Sequence, residues 1–278
     1  MDEKLKELQM VEYDMLKDVV DFCDKNGIKY FIIAGTLLGA VRHGGFIPWD
    51  DDIDIGMDYH NYKLFLKKAQ KGLDKKFFIQ NFYSERKVSN PWTKIRINGT
   101  TSIDPRFLNY DIHSGICMDI FLFNGISDNR VKRKIQEVLS RYQRQMLKKY
   151  YYLEGDIPNK NKRINQIVPE ILRPFLIKVF DKLINIDLSK TKYCYNTFYD
   201  DVGKKFCYES KWFTELKKIT FEDGQFYAPI SPEDYLVARY GDWKTPPPKN
   251  ERTAHGDIII DTNKDYTFYK EKREPVNN

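Results

Sequence analysis

The chain has 278 residues, with 46 Lys and Arg against 40 Asp and Glu, and a formal net charge of +6. Its 19 Tyr, 18 Phe and 4 Trp can fill a large core, which excludes disorder over most of its length. Its four cysteines form no C-x-x-C pair, no apolar run reaches the roughly 18 residues of a membrane span, and the N-terminus does not resemble a signal peptide. We therefore expect no zinc knuckle or redox motif, and a cytoplasmic location.

Helices and strands are predicted to alternate in the first half of the chain. Apolar residues at spacings of three and four predict a helix over 3–25, which Gly27 ends in a left-handed cap. A short helix is predicted over 37–41, and another is expected between an Asp58 cap and Gly72. Runs rich in β-branched and aromatic residues predict strands at 30–34, 52–57, 77–83, 92–97 and 117–122.

The second half of the chain has a different pattern. Residues 128–200 are expected to be helical, and 219–262 to be rich in loops because three consecutive prolines at 246–248 block regular structure. These features predict an α+β fold, with a mixed β-sheet core, flanking helices and a helical extension. We interpret residues 1–278 as one domain with a helical insertion at 128–210.

The most informative segment is the acidic run at 50–54, where four of five residues are Asp: Asp50, Asp51, Asp52 and Asp54. Their carboxylates repel one another unless a cation neutralises them. Period-two alternation places Asp52 and Asp54 on one face of a strand, with Ile53 and Ile55 in the core. Such a pair suits Mg²⁺, and a solvated acidic turn is the alternative. A calcium-binding EF-hand loop is excluded, because its Gly and Glu positions hold Ile55 and Asn61.

Three further features are candidates for a phosphate and metal site. Gly35-Thr36 opens a helix after a strand, where backbone N–H groups bind phosphate oxygens, although strand-ending turns use the same pair. Arg42 and His43 follow and are candidate phosphate ligands, with a structural role for His43 equally open. Asp119 is the sole acid in an apolar run, so it is either a metal ligand or a strand-end residue facing solvent.

Basic residues are concentrated at 130–163, which holds eleven Lys and Arg against three Asp and Glu. Apolar residues recur at helical spacings within 130–149. Such a helix fits the surface of an anionic membrane, and an ordinary surface helix packed on a core is the alternative. No nucleic-acid-binding motif accompanies the basic residues, so we expect no nucleic acid partner.

Three blocks of the sequence resemble the LicD family of phosphocholine transferases, which is related to fukutin and the fukutin-related protein. The blocks are GTLLGAVRH and GFIPWDDDID within 35–54, GICMDIF at 115–121, and YGDWKTPPP at 240–248 with Arg252 and His255 beyond it. They extend from about residue 30 to 256, and 128–210 matches no motif of the family. Cys117 stands where the family often has an apolar residue, which leaves Asp119 unchanged.

The resemblance implies a nucleotidyltransferase-type fold in which Asp52, Asp54 and Asp119 bind one or two Mg²⁺ ions, or Mn²⁺. It also implies transfer of phosphocholine from CDP-choline to a hydroxyl of a cell-surface glycan or its lipid-linked precursor, of the teichoic acid or lipopolysaccharide type, with release of CMP. Alternatives are transfer of ribitol or glycerol phosphate, nucleotidyl transfer to a small hydroxyl acceptor, and a non-enzymatic binding module. A membrane-bound acceptor would place the reaction at the inner face of the membrane.

Roles for further residues follow as hypotheses. Gly35 and Thr36 would hold phosphate oxygens, and Asp50 and Asp51 would support the metal ligands. The proton of the acceptor hydroxyl would pass to Asp54, Asp119 or His255, since neutral imidazole is a suitable base. The expected diphosphate clamps are Lys94, Arg96 and Arg252. An aromatic cage is expected for the quaternary ammonium of choline, with these candidates: Trp49, Trp92 and Trp243.

Overall fold

The computed structural model describes residues 3–88, 90–147, 168–197, 207–252 and 258–271. The helices in these ranges are α1 Glu3–Lys25, α2 Ala34–His43, α3 Tyr59–Gly72, α4 Arg130–Leu147, α5 Arg173–Ile184, α6 Lys211–Thr214, α7 Pro232–Tyr240 and α8 Tyr266–Glu271. The strands are β1 Phe31–Ile32, β2 Asp54–Asp58, β3 Phe77–Gln80, β4 Thr93–Ile97, β5 Thr101–Ile103, β6 Cys117–Gly125, β7 Tyr193–Asn196, β8 Tyr208–Glu209, β9 Leu216–Phe221, β10 Gly224–Pro229 and β11 Ile259–Asp261. None of the helices in these ranges is long and apolar enough to cross a bilayer.

A seven-stranded mixed sheet forms the core, and β6 lies at its centre. Strand β2 pairs with β6 in parallel, and β4 pairs with the first half of β6 in antiparallel orientation. Strands β1 and β3 extend the sheet beyond β2 and β4, while β7 pairs with the last residues of β6 and β8 pairs with β7. The predicted α+β class, with a mixed sheet and flanking helices, is confirmed.

Local sequence signals explain how the sheet is built. Strand β6 is buried along its length except at Cys117, as its continuous apolar run indicates for a central strand. Ile53 and Ile55 are fully buried, as their period-two spacing predicted. The Asp58 side chain accepts the Asn61 N–H at 2.9 Å and caps α3, and this cap was also predicted.

The C-terminal region is more regular than predicted. Strands β9 and β10 form an antiparallel hairpin, α7 follows it, and β11 pairs with β5. The expectation of a loop-rich segment over 219–262 is therefore wrong for 219–240, whereas the described residues 241–252 hold only the short 3₁₀ helix Lys249–Glu251, as expected. The prolines at 246–248 interrupt structure only locally, whereas Phe221 and Phe226 of the hairpin are buried in the core.

The segment 128–210 is also only partly helical. Helices α4 and α5 are present as expected, but residues 193–196 and 208–209 are strands of the main sheet. Cys194 and Tyr195 of β7 are fully buried, and this burial stabilises a strand where no period-two signal stood out. All four cysteines of the chain are free.

Candidate functional site

A cavity of about 610 Å³ lies beside the first residues of β2 and β6. Its walls hold seven carboxylates, from Glu12, Asp50, Asp51, Asp52, Asp54, Asp104 and Asp119. Basic side chains reach the same cavity from Lys94, Arg96, Arg106 and Arg239. Aromatic rings form a further part of the wall: Trp92, Phe121, Phe123, Tyr208, Tyr235 and Tyr240. The structure therefore brings all of the predicted metal ligands into one cavity.

The parallel pairing of β2 with β6 places Asp54 directly opposite Asp119. The Asp119 N–H donates to the Ile53 carbonyl at 2.8 Å, and the Asp54 N–H donates to Thr36 Oγ1 at 2.8 Å. Both aspartates are buried. Burial raises the pKa of Asp54 well above its usual value, and the nearby Asp52 and Asp119 raise it further. Asp52 and Asp119 act electrostatically on Asp54, and a group of carboxyl groups of this kind attracts a cation that neutralises their mutual repulsion.

Each oxygen of the Asp119 carboxylate has a hydrogen-bond donor. Trp92 Nε1 donates to Oδ2 at 2.7 Å, and Lys94 Nζ donates to Oδ1 at 2.5 Å. Lys94 also lies 3.6 Å from the Cys117 sulfur. Burial lowers the pKa of Lys94, but Asp119 and Cys117 raise it more, so the net shift is upward and the ammonium stays charged. Lys94 thus supplies a fixed positive charge beside Asp119.

The start of α2 is packed tightly against the acidic loop. A Cβ atom at Gly35 would lie 2.5 Å from Asp50 Oδ2, so only glycine leaves room for that carboxylate. Gln9 Nε2 donates to the Asp50 carbonyl at 2.8 Å and ties the loop to α1. Gly35 lines the cavity, as a phosphate-binding role requires, whereas the buried Thr36 hydroxyl is used to hold the backbone of Asp54.

Four of the predicted substrate-binding residues form a separate cluster that does not line the cavity: Arg42, His43, Trp49 and Arg252. The Arg252 guanidinium lies 4.9 Å from the Trp49 ring centroid, and His43 meets the same ring edge-on at 6.2 Å. Arg42 Nη1 donates to the Trp243 carbonyl at 2.8 Å. Burial and the adjacent Arg42 lower the pKa of His43.

Two other predicted residues have different outcomes. Arg96 reaches the cavity wall, but its guanidinium donates to Gln80 Oε1 and to the Gly115 carbonyl, both at 2.6 Å. Through these bonds Arg96, which lies on β4, connects β3 with the residues just before β6. His255 lies outside the described residues, so its predicted role as a base stays a prediction.

Glu12 is a site residue that the sequence interpretation missed. It enters the cavity from α1, is 2% exposed, and its Oε2 has no hydrogen-bond partner among the described residues. Burial raises its pKa well above the usual value, and Asp52 adds to the effect. A signal was present, because Glu12 stands in the apolar stripe of α1 between Leu8 and Met15, where a charged residue is unusual.

Tyr240 and Arg239 also reach the cavity without having been predicted. Both lie at the end of α7, and Tyr240 is the first residue of the third sequence block. Burial raises the pKa of Tyr240, and Asp54 contributes to the shift. The block pointed to this tyrosine, whereas nothing in the sequence distinguished Arg239.

Oxygen donors of this kind suit a hard cation such as Mg²⁺. In the described ranges, no three or more His, Cys, Asp or Glu side chains stand together as a cage that could hold a metal ion, so the predicted ligands Asp52, Asp54 and Asp119 do not form one by themselves. Mg²⁺ does not require such a cage, because it commonly binds one or two carboxylates together with water and substrate phosphates. Asp52 and Asp54 fit this pattern, and Asp119, with both oxygens already accepting hydrogen bonds, keeps further lone pairs.

Comparison with known proteins gives one family and several relatives. Residues 27–154 match the family model described as LicD/FKTN/FKRP, nucleotidyltransferase domain. The chain is 25% identical over 258 residues to the lipopolysaccharide cholinephosphotransferase LicD of Haemophilus influenzae, covering 90% of this chain and 95% of that protein. It is 49% identical over 39 residues to the human ribitol 5-phosphate transferase FKRP, covering 14% of this chain and 8% of that protein. It is 27% identical over 157 residues to mannosyltransferase regulator 4 of Saccharomyces cerevisiae, covering 53% and 12% respectively.

Proposed function

This chain carries a nucleotidyltransferase domain of the LicD family, as its motifs predicted, and we propose that it is a metal-dependent transferase of a substituted phosphate group. The proposed donor is CDP-choline, the acceptor is a hydroxyl of a cell-surface glycan or its lipid-linked precursor, and the products include CMP. The observation that carries the proposal is the pairing of Asp54 with Asp119 in a cavity that also holds Asp52 and Lys94. The similarity to a cholinephosphotransferase over most of both chains supports phosphoester transfer.

Phosphoester transfer of this type depends mainly on positioning and on charge neutralisation. Asp52 and Asp54, with Asp119, are the proposed ligands of Mg²⁺, which when bound would neutralise the diphosphate of the donor. Gly35 would let a phosphate oxygen approach the backbone at the start of α2. Lys94 keeps Asp119 in one orientation through its ion pair, and Trp92 fixes the other oxygen.

The transfer step requires an acceptor for one proton. The acceptor hydroxyl oxygen bonds to the phosphorus of the phosphocholine group, the bond from that phosphorus to the CMP oxygen breaks, and the hydroxyl proton passes to a base. We propose a carboxylate of the cavity as this base. Asp54 and Asp119 are the two candidates, and burial raises the pKa of Asp54. His255 remains the rival candidate.

The aromatic part of the cavity wall supports choline as the transferred headgroup. A quaternary ammonium cannot donate hydrogen bonds and is usually held by aromatic faces, each contributing about 0.5–2 kcal/mol. Of the three tryptophans predicted for this role, only Trp92 lines the cavity, and its ring lies 5.1 Å from that of Phe121. Trp49 and Trp243 belong to the separate cluster around Arg42 and Arg252. We therefore propose Trp92, Phe121 and the cavity tyrosines as the cage.

Transfer of a polyol phosphate is the second candidate. The 39-residue match to a ribitol 5-phosphate transferase favours it. The cavity also contains hydroxyl groups from Ser102, Ser114 and three tyrosines, which suit the hydroxyls of ribitol or glycerol. Nucleotidyl transfer is the third candidate and differs in its product, since it releases pyrophosphate instead of CMP.

The experiment that tests the proposal is incubation with a panel of cytidine diphosphate donors. The full chain, Mg²⁺ and a mixed glycan acceptor fraction are combined in turn with CDP-choline, CDP-ribitol and CDP-glycerol, and CMP is quantified. Preferential release of CMP from CDP-choline supports the proposal, and preference for CDP-ribitol supports the second candidate. The control is Asp52→Asn, for which we expect at least about a hundredfold loss of turnover. A folded Asp52→Asn protein with unchanged turnover would rule out the metal-assisted mechanism.

The site of the reaction in the cell follows from the acceptor. A lipid-linked glycan precursor would require peripheral contact with a membrane, and residues 130–149 are the proposed contact. The cytoplasmic face of that membrane is the proposed location. Residues 148 and 149 lie outside the described part of the chain, so the structural argument rests on α4.

A further inference from the structure

Helix α4 buries polar side chains along its middle and the apolar Met146 and Leu147 at its end, while other apolar side chains face outward. Three of its buried side chains, Gln136, Ser140 and Gln143, are about 1% exposed. Four apolar side chains are instead between 36% and 69% exposed: Val131, Ile135, Val138 and Tyr142. Their spacings of four, three and four place them on one face of the helix, which we call the α4 apolar stripe. Burial of apolar surface would favour the opposite orientation.

Buried hydrogen bonds fix the helix in this orientation. Gln136 Nε2 donates to the Gly125 carbonyl at 2.7 Å and to the Ile184 carbonyl at 2.8 Å. Gln143 Nε2 donates to Asp181 Oδ1 at 2.6 Å. Rotating α4 to bury the apolar stripe would take these donors away from the Gly125 and Ile184 carbonyls and the Asp181 carboxylate, and loss of partners by buried acceptors is unfavourable. The α4 apolar stripe is therefore a fixed feature of the folded protein.

The adjacent helix α5 shows the same tendency. Hydrogen bonds from Gln136 and Gln143 join it to α4, and its own Phe175 and Leu183 are 65% and 59% exposed. Ile171, just before α5, is 85% exposed. Single apolar residues are common on protein surfaces, but groups of them mark sites that contact another apolar phase or a partner. Two neighbouring helices with such groups indicate a docking surface.

The positive charge of α4 indicates which kind of partner this docking surface fits. Helix α4 contains six Lys and Arg but one acid, Glu137, which forms ion pairs of 3.0 Å with Lys134 and Arg141. Arg130 and Lys132 add positive charge at its start. A second copy of the chain would oppose this basic face with an identical one, and like charges disfavour such a symmetric interface. An anionic lipid surface instead offers negative headgroups for the basic residues and an acyl boundary for the apolar ones.

We propose that the α4 apolar stripe docks this protein on the surface of an anionic bilayer. The stripe enters the boundary between headgroups and acyl chains, and the lysines and arginines of α4 extend to the lipid phosphates. The sequence left a membrane-surface helix and a core-packed helix open for this region. The end of α4 packs on the core through Met146 and Leu147, and the outward stripe is the part that can meet a bilayer. This docking does not depend on which donor the cavity uses.

The test is co-sedimentation of the full chain with phosphatidylcholine vesicles that contain, or lack, about 30% phosphatidylglycerol. We expect binding to the anionic vesicles, with at least about tenfold weaker binding for the double variant Ile135→Ser/Val138→Ser. Met10→Ser is the matched control, because Met10 is an exposed apolar residue of α1 (46%) outside the stripe. The pair Arg130→Gln/Lys132→Gln should also weaken binding, and this difference should shrink as salt is added.

Several results would overturn the proposal. One is a wild-type protein that does not sediment with anionic vesicles, and another is a double variant that binds as tightly as the wild type. A third is a wild-type dimer in sedimentation velocity that the double variant converts to a monomer, which would make the stripe an interface between copies. Both substituted side chains are exposed, so an unchanged thermal transition is expected. If the double variant loses that transition, Tyr142→Ser replaces it and carries the same expectation.

Discussion

At the residue scale, the Lys94–Asp119 pair shows how a carboxyl group is held in the buried part of the cavity. Both side chains are largely buried, with 14% and 9% of their surface exposed. Taking two charges out of water is costly, and the pair is tolerated because Lys94 and Trp92 both donate to Asp119. The ion pair therefore holds Asp119 in place, and it adds little to the net stability of the fold.

Loss of Lys94 should be more damaging than loss of both charges. We expect Lys94→Met to lower the free energy of unfolding by about 3 kcal/mol, because it leaves the Asp119 carboxylate buried without its cation. The double variant Lys94→Met/Asp119→Asn should recover part of this loss. The measurement is urea denaturation of the wild type, Lys94→Met, Asp119→Asn and the double variant, which form a double-mutant cycle. If the loss in the double variant equals the sum of the losses in Lys94→Met and Asp119→Asn, the two charges are not coupled.

His113 provides a pH-dependent contribution to stability. Its Nδ1 accepts the Gly115 N–H at 3.2 Å, so its Nε2 carries the hydrogen and faces Asn98 Oδ1 at 2.9 Å. The ring stacks on Phe78, with centroids 4.9 Å apart. Burial, with a contribution from Arg96, lowers the pKa of His113 from 6.5 to about 4. Protonation in the folded state is thus disfavoured, and it would break the bond to Gly115.

The sign of this effect is fixed by the lowered pKa. Above pH 6.5 the imidazole is neutral in both the folded and the unfolded chain, and the full stability is present. As the pH falls from 6.5 to about 4, we expect a loss of up to about 3 kcal/mol from this residue. Denaturation midpoints measured across this range should show the loss in the wild type and a reduced slope in His113→Gln. Identical slopes would contradict the assignment.

At the element scale, helix α2 depends on two glycines that face different neighbours. A Cβ atom at Gly39 would lie 2.4 Å from the Gly45 carbonyl oxygen, which is backbone, and 3.2 Å from the Ile47 N. A Cβ atom at Gly35 would meet the end of the Asp50 side chain instead. The contact at Gly39 can be relieved only by moving the backbone of the loop that leads to the acidic run. The contact at Gly35 can be relieved by moving the Asp50 carboxylate.

Gly39→Ala should therefore reduce stability, by about 2–3 kcal/mol, because α2 and the loop at 44–47 must separate. A lower urea midpoint with an unchanged slope would confirm this. Gly72→Ala is a suitable control, since the nearest atom to its Cβ is a ring carbon of Phe22 at 3.2 Å.

Gly35→Ala should affect activity more than stability. The methyl group displaces the Asp50 carboxylate and fills the space proposed for a phosphate oxygen. We expect a loss of turnover of at least about tenfold with a change in unfolding free energy of less than about 1 kcal/mol. Donor turnover and urea denaturation of the same preparation give both quantities. Wild-type turnover would remove Gly35 from the phosphate site.

The elements also show where sequence reasoning succeeds. The spacing of apolar residues in α1, the Asp58 cap and the inward Ile53 and Ile55 are local features, and local features were predicted correctly. Glu12 was missed because its surroundings come from residues distant in the chain. The outward stripe of α4 was likewise hidden, since periodicity identifies an apolar face but not the direction in which tertiary hydrogen bonds turn it.

At the scale of the whole molecule, the motifs placed the acids correctly in one cavity, but they did not separate that cavity from the arginine–tryptophan cluster of Arg42, Trp49 and Arg252. A family motif groups residues by their positions in the sequence. It does not show whether those residues line the same cavity. Only the packing of α7 and of the segment after it decides that Tyr240 reaches the cavity while Trp243 holds Arg42.

The parallel register of β2 on β6 also governs when the site forms during folding. Asp54 and Asp119 are far apart in the chain, and a slip of one residue would turn one carboxylate to the opposite face of the sheet. Parallel pairing of distant segments is a slow, non-local event, whereas α1 and α3 need only nearby residues. In a refolding experiment, helical circular dichroism should therefore return before CMP release does. The order of these two signals reports whether the chain completes its helices before it aligns Asp54 with Asp119.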